Sequence, residues 1–423
     1  MLVCVKTSDE NGDERMQLGW IDFSKNERNK VLSVLDLLSE EGTLDELGIA
    51  PIRDGYANLF FPGTSTIQTR AKYFLCIPYA FKDLEKSEET NPKRMLKSLY
   101  EKEKSCGECL HRNSKTDGVI GASVIDSGKW VKRQPSDIYW AGIRRLGIFV
   151  GGNKSINEYL RYICFNNSKK DELKNLGNRK DNAEENECDD LDAGHDLYKR
   201  FWNLPTYNKK WLDNISIDLT KEEAKFLKEQ IIQNCKEESG NETMFSFIMK
   251  ENKHDFVDIK NFEDLASGYI RQFPEHIQTD YYNAVKFSEF VYVLRVLYNV
   301  IVSNSQNEEA NNEWQKLEPN LYTLADIDIE SIYHRLGITK PLLLRFLLTS
   351  QTQMRNGDIE GLKETIIKRE VDLKGSSRAK TKHAGEFRQN SWFGGRKLDY
   401  RFPDAQTIIN DIFEGEKNCA ESK

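Results

Sequence analysis

The chain has little of what marks most enzymes or secreted domains. Among 423 residues there are only six histidines, and none lies in an HExxH or HxK pattern; no GxSxG elbow occurs either. Eight cysteines are scattered from Cys4 to Cys419, which fits a reducing compartment and not a disulfide framework. Long apolar runs are also missing. The most apolar stretch, Val285 to Val302, is broken by Lys286, Glu289 and Arg295, and each charge near a helix centre opposes membrane insertion by about 2.5–3.5 kcal/mol. The start, MLVCVKTSDE, has no apolar core of a signal peptide. A cytoplasmic protein that does not span a membrane is therefore expected, with no cofactor.

Hydrophobic residues make up 38%, charged residues 30% and aromatics 11%, enough for real cores under a charged surface. The net charge of −7 is uneven. Residues 166–196 carry five Lys/Arg against ten Asp/Glu and no aromatic, so they cannot bury enough surface to offset their ordering entropy. They are read as a disordered linker between an N-terminal domain, 1–165, and a C-terminal region, 197–423. The expected fold is mainly α with few short strands: a helical N-terminal domain carrying a helix-turn-helix or winged-helix-like element, then a helical array.

Ser24 with Glu27 forms a capping box ahead of Val31, Val34, Leu35 and Leu38 at helical spacing. Thr43 and Glu46 repeat the pattern for a short helix ending at Gly48. A helix over 51–60 and a second from Ser65, joined by Pro62-Gly63-Thr64, have a helix-turn-helix layout. Gln68, Thr69, Arg70 and Lys72 would then lie on the first turns of the second helix, where side chains reach phosphates and base edges. The competing reading is a helical hairpin with a solvated polar face.

Two further segments are basic and aromatic together. Lys129, Lys132, Arg133, Arg144 and Arg145 interleave with Trp130, Tyr139 and Trp140. A helix from Ser136 to Gly147 followed by Ile148-Phe-Val150 could be a recognition helix and wing, or a core helix with a solvated rim. The tail 374–401 has eight Lys/Arg against two acids. Arg378, Lys380, Lys382, Arg388, Arg396, Lys397 and Arg401 are its candidate phosphate contacts, with Phe387, Trp392, Phe393 and Tyr400 for stacking. Docking on the acidic linker is the alternative.

Other motifs fall short of a requirement. Cys106-Gly-Glu-Cys109 lacks a second ligand pair for zinc. In Gly147-Ile-Phe-Val-Gly-Gly-Asn-Lys-Ser155, Asn153 separates glycine from lysine, which a phosphate-binding loop does not allow. Glu370-Val-Asp-Leu-Lys374 with Asp358 mimics half of a metal-dependent nuclease site, but its flanks are helical where that chemistry needs strands.

Gly19-Trp-Ile-Asp-Phe-Ser24, Gly42-Thr-Leu-Asp-Glu-Leu-Gly48 and Phe61-Pro-Gly-Thr-Ser-Thr-Ile-Gln-Thr-Arg-Ala-Lys-Tyr-Phe74 resemble a bacterial domain-of-unknown-function family often encoded beside helicases and nucleases in defence islands. Ser136-Asp-Ile-Tyr-Trp-Ala-Gly142, Lys374-Gly-Ser-Ser-Arg378 and Leu398-Asp-Tyr-Arg401 fit the same pattern. The resemblance implies a cytosolic accessory protein of a DNA-processing or antiviral defence system, with duplex DNA and a neighbouring helicase or nuclease as partners. The leading expectation is a non-catalytic DNA-binding subunit. A protein-interaction adaptor and a cryptic nuclease are the alternatives.

Overall fold

The computed structural model describes residues 2–8, 14–20, 45–114, 116–177, 201–208, 210–387 and 391–418; of residues 2–8, 14–20 and 171–177 it gives the backbone course only. The fold is mainly helical. Strands β1 (Leu2–Ser8) and β2 (Glu14–Trp20) pair antiparallel, with Leu2 opposite Trp20 and Ser8 opposite Glu14. This hairpin escaped the sequence reading. The capping box at Ser24 and its helix lie outside the described residues.

Fifteen α-helices follow among the described residues: α1 (Ala50–Phe60), α2 (Tyr73–Leu84), α3 (Pro92–Asn113), α4 (Ala122–Ile125), α5 (Pro135–Arg145), α6 (Ile156–Gly177), α7 (Lys221–Asn234), α8 (Met244–Lys250), α9 (Glu275–Val302), α10 (Glu308–Leu317), α11 (Leu321–Leu324), α12 (Ile329–Arg335), α13 (Pro341–Asn356), α14 (Ile359–Lys374) and α15 (Phe402–Lys417). Their ends obey local chemistry. Asn91 accepts from Lys93 N and Arg94 N ahead of Pro92 at the first helical position. Thr220 and Glu223 close a reciprocal capping box on α7. Among the described residues no helix is long and apolar enough to cross a membrane.

The chain falls into two compact units. One unit comprises 1–50 and 286–398, the other 51–285 and 399–423. α6 continues helical to Gly177, so the expected linker begins as helix; its residues 178–196 lie outside the described ones. The C-terminal α15 returns to pack on α7 within the second unit. Such a return depends on matching apolar faces far apart in sequence, which no local pattern reports.

In that second unit the helices close over two aromatic clusters. Tyr56, Phe60, Phe262 and Tyr400 meet with ring centroids 5.2–6.0 Å apart. Phe81, Trp140, Tyr159 and Trp202 form the other. Such edge and tilted pairs add about 0.5–1.5 kcal/mol each beyond their area.

Two local expectations are corrected. Glu46 is not the capping residue of a short helix; residues 45–48 form a turn, and Asp45 instead accepts from Ile49 N and Ala50 N. The second helix of the expected helix-turn-helix begins at Tyr73, not Ser65, and residues 65–72 are turns. The reason is steric as well as polar. A Cβ on Gly142 of α5 would stand 2.4 Å from Gly63 O and 2.7 Å from Phe74 Cε1, so α5 lies directly against this turn. Gly142→Ala is expected to destabilise the fold by about 1–3 kcal/mol, as overpacking does, because a backbone oxygen cannot swing aside. A thermal melt showing an unchanged midpoint would contradict the close approach.

Candidate functional site

The side chains expected on a recognition helix are turned inward. Gln68 folds onto its own turn, donating from Nε2 to Gly63 O at 3.1 Å and accepting from Ser65 N at 3.2 Å. The Thr69 and Arg70 N–H groups both donate to Tyr139 OH, at 2.8 and 3.0 Å. Arg70 is a hub: its guanidinium pairs with Asp411 at 2.9 Å and Asp218 at 3.1 Å, and donates to Thr116 Oγ1 and Asp117 O, both at 2.8 Å. Burial alone would lower the Arg70 pKa, but the Asp411 and Asp218 carboxylates raise it. Lys72, itself buried, pairs with Glu223 at 2.6 Å. None of these heads is presented to solvent as a phosphate contact requires.

The second basic segment divides. Arg144 donates to Asn153 Oδ1 at 2.6 Å, and Arg145 to the carbonyls of Asn234 and Lys236. The residues after α5 make a single bridge, Phe149 with Trp202, in place of a wing. Lys129, Lys132 and Arg133, by contrast, are all exposed on the strap that leads into α5. The strap is anchored by Trp130, whose indole N–H donates to Gln134 Oε1 at 2.8 Å. Its ring covers Gly107 so closely that a Cβ there would meet Trp130 Cη2 at 2.3 Å.

In the tail, charge is again largely matched. Lys374 contacts the carboxylates of Glu46 and Glu370, and Lys380 pairs with Glu46 at 2.6 Å. Tyr298 OH donates to Glu370 Oε1 at 2.7 Å, and the N–H groups of Lys380 and Thr381 complete the shell of that fully buried carboxylate. Burial pulls the Lys374 and Lys380 ammonium groups below the usual lysine range, and the Glu46 carboxylate faces both. Arg378 donates to Lys374 O, and Arg396 lies over Trp392 at 4.7 Å while pairing with Glu309 at 2.5 Å. Arg401 is held by Asp54, Asn58 and Thr64 O. Lys382 and Lys397 are exposed, and Arg388 lies outside the described residues.

The nuclease-like residues do not assemble a metal site. Glu370 and Asp372 are two positions apart on α14, on different helix faces, and Asp358 caps the same helix by accepting from Gly361 N at 3.0 Å. Among the described residues no group of three or more His, Cys, Asp or Glu could hold a metal ion. Cys106 is buried on α3, where the adjoining Cys76 thiol and burial hold its own thiol well above the usual range. Cys109 sits one turn on, contacted by Arg112.

The sequence reading missed two buried carboxyls. Glu85 accepts from Trp202 Nε1 at 2.9 Å and Lys82 at 2.6 Å, and from Tyr159 OH; burial pushes its pKa up. Glu103 accepts from Ser136 N at 2.7 Å, at the first turn of α5. A signal for Glu103 exists: it falls in the buried stripe Met95, Leu99, Cys106 and Leu110 of α3.

Residues 16–318 match the model of a protein family described as a family of unknown function. No curated protein and no solved structure matches the chain.

Proposed function

The chain belongs to that family of unknown function, DUF6361, and from this premise we propose that it is a non-catalytic accessory protein that contacts duplex DNA through the strap Lys129–Arg133. The observation that carries the reading is the division of the basic residues. Arg70, Lys72, Lys374, Lys380 and Arg401 are matched to carboxylates. Lys129, Lys132 and Arg133 project from one exposed segment pinned by Trp130. Phosphate contacts position a protein without reading sequence, so three cations suit a subunit that adds register to a larger assembly. A helicase or nuclease encoded nearby, in the cytoplasm, is the proposed partner.

The size of the footprint makes the reading quantitative. Neutralising three phosphates gives a slope of log K against log salt of about −2.7. Fluorescence anisotropy with a labelled duplex should show that slope at low salt. The variant Lys129→Ala/Lys132→Ala/Arg133→Ala should bind at least about tenfold more weakly, with the slope approaching zero. Equal binding by the wild type and the triple variant would reject the strap as the contact.

A second reading, a protein-interaction adaptor, is supported by large apolar side chains left exposed on the C-terminal helices. Tyr322 is 73% and Leu342 66% accessible. Isolated exposed apolar residues are ordinary, so this reading stands second. It would gain from a partner whose capture is lost in Tyr322→Ser/Leu342→Ser but kept in the strap variant.

A further inference from the structure

Glu103 is 3% exposed, and among the described residues its Oε2 has no hydrogen-bond partner. Ser136 Oγ, fully buried on the facing turn of α5, has none either. An ionised carboxylate in that position would carry one bare, desolvated oxygen, which is costly; a neutral carboxylic acid there can donate instead. We propose that Glu103 is a proton-binding site that clasps the first turn of α5 onto α3 and so sets the position of the basic strap.

The connection is short. Glu103 and Gly107 stand one helical turn apart on α3, hence on one face. Ser136 N is held by Glu103, and Trp130 lies on Gly107. Gln134, the cap residue of α5, ties the two by accepting from the Trp130 indole and donating to Val131 O. The clasp and the strap anchor are therefore two ends of one seven-residue segment, Trp130–Ser136.

The groups facing Glu103 do not favour its charge. Asp137 on α5 repels it, and its own helix contributes Tyr100 and Cys106. α2 contributes the Cys76 thiol and Tyr73 behind Cys106. Burial is the largest cause raising the Glu103 pKa to about 8, against the lowering by the adjoining Ser136 hydroxyl and the Ser136 N–H. Because the folded-state value lies above the unfolded one, folding takes up a proton here. The clasp is complete at acidic and neutral pH and is lost as pH rises through about 8.

The strap's role in duplex contact rests on the reading proposed above, but the clasp is tested without DNA. Amide hydrogen exchange of residues 130–138 in the full chain would be followed at about pH 7 and about pH 9 in the wild type and in Glu103→Gln, which stays neutral. Comparing the two proteins at each pH cancels the intrinsic exchange rate. Expected is equal protection at neutral pH and a loss of about tenfold in the wild type alone at pH 9, as the neutral fraction falls. Equal protection at both pH values overturns the clasp. If Glu103→Gln does not fold, the wild type decides by infrared spectroscopy: a protonated-carboxyl band that titrates near pH 8 supports the clasp, and its absence at pH 7 overturns it. Duplex affinity measured on the same samples separates the two ideas, since exchange can respond to pH whether or not DNA binds.

Discussion

Replacing Arg70 with methionine should cost about 3–5 kcal/mol of stability, the loss typical of removing one partner from a buried ion pair. Arg70 satisfies Asp411, whose side chain is 5% exposed, and also reaches Asp218, Thr116 and Asp117 O. Methionine keeps much of the stem's apolar contact but leaves Asp411 with only the Ala71 N–H. Burial already raises the Asp411 pKa with the guanidinium in place; without it the rise must be larger. The folded value then exceeds the unfolded one by more, so Arg70→Met should regain stability at low pH and lose it as pH climbs through the folded value. Urea unfolding followed by tryptophan fluorescence at several pH values checks both magnitude and sign. A cost under about 1 kcal/mol would mean that the pair behaves as a surface pair. Asp411→Asn in the Arg70→Met background should restore part of the loss, because the orphaned charge is then gone.

Glu46→Gln should be the other large effect, also about 3–5 kcal/mol. One carboxylate, 5% exposed, faces Lys374 and Lys380 together. Glu370 remains beside Lys374 in the variant, so that ammonium is partly compensated; Lys380 keeps the face of Phe393 at 4.8 Å and the more distant field of Glu370. The lower end of the range is therefore expected. Both lysines already sit below their usual pKa range because of burial, Lys374 at about 8. Loss of Glu46 lowers them further, so the variant should be least stable relative to wild type near neutral pH and recover as pH rises and the lysines shed their protons. Chemical denaturation of Glu46→Gln, Lys380→Gln and the double variant gives the coupling energy directly. Independent, additive losses would show that the cluster is not a unit.

The helices were largely legible. The helix expected from Ser136 to Gly147 is α5 within a residue or two of its observed span, and Gly147 ends it with φ of +67° as a terminating glycine should. The failures share a cause. Lys72 and Lys129 look alike in sequence, each a lysine near aromatic residues, yet one is buried on Glu223 and the other is exposed. Their difference lies in a partner 151 residues away from Lys72, which local pattern cannot carry. The same holds for Arg70 and Asp411, which lie 341 residues apart.

By itself the sequence determined a mainly helical chain, where some of those helices start and stop, and which residues are cationic or aromatic. These follow from backbone propensity, capping and side-chain chemistry, all of which act over a few residues. Only the tertiary structure decided which cations are spent in internal pairs and which stay exposed. It also decided that a glutamate in the charged run Glu101-Lys-Glu-Lys104 is buried without a full set of donors. Burial and pairing are properties of the packed whole: desolvation is set by what every neighbouring element covers, and those neighbours come from distant parts of the chain.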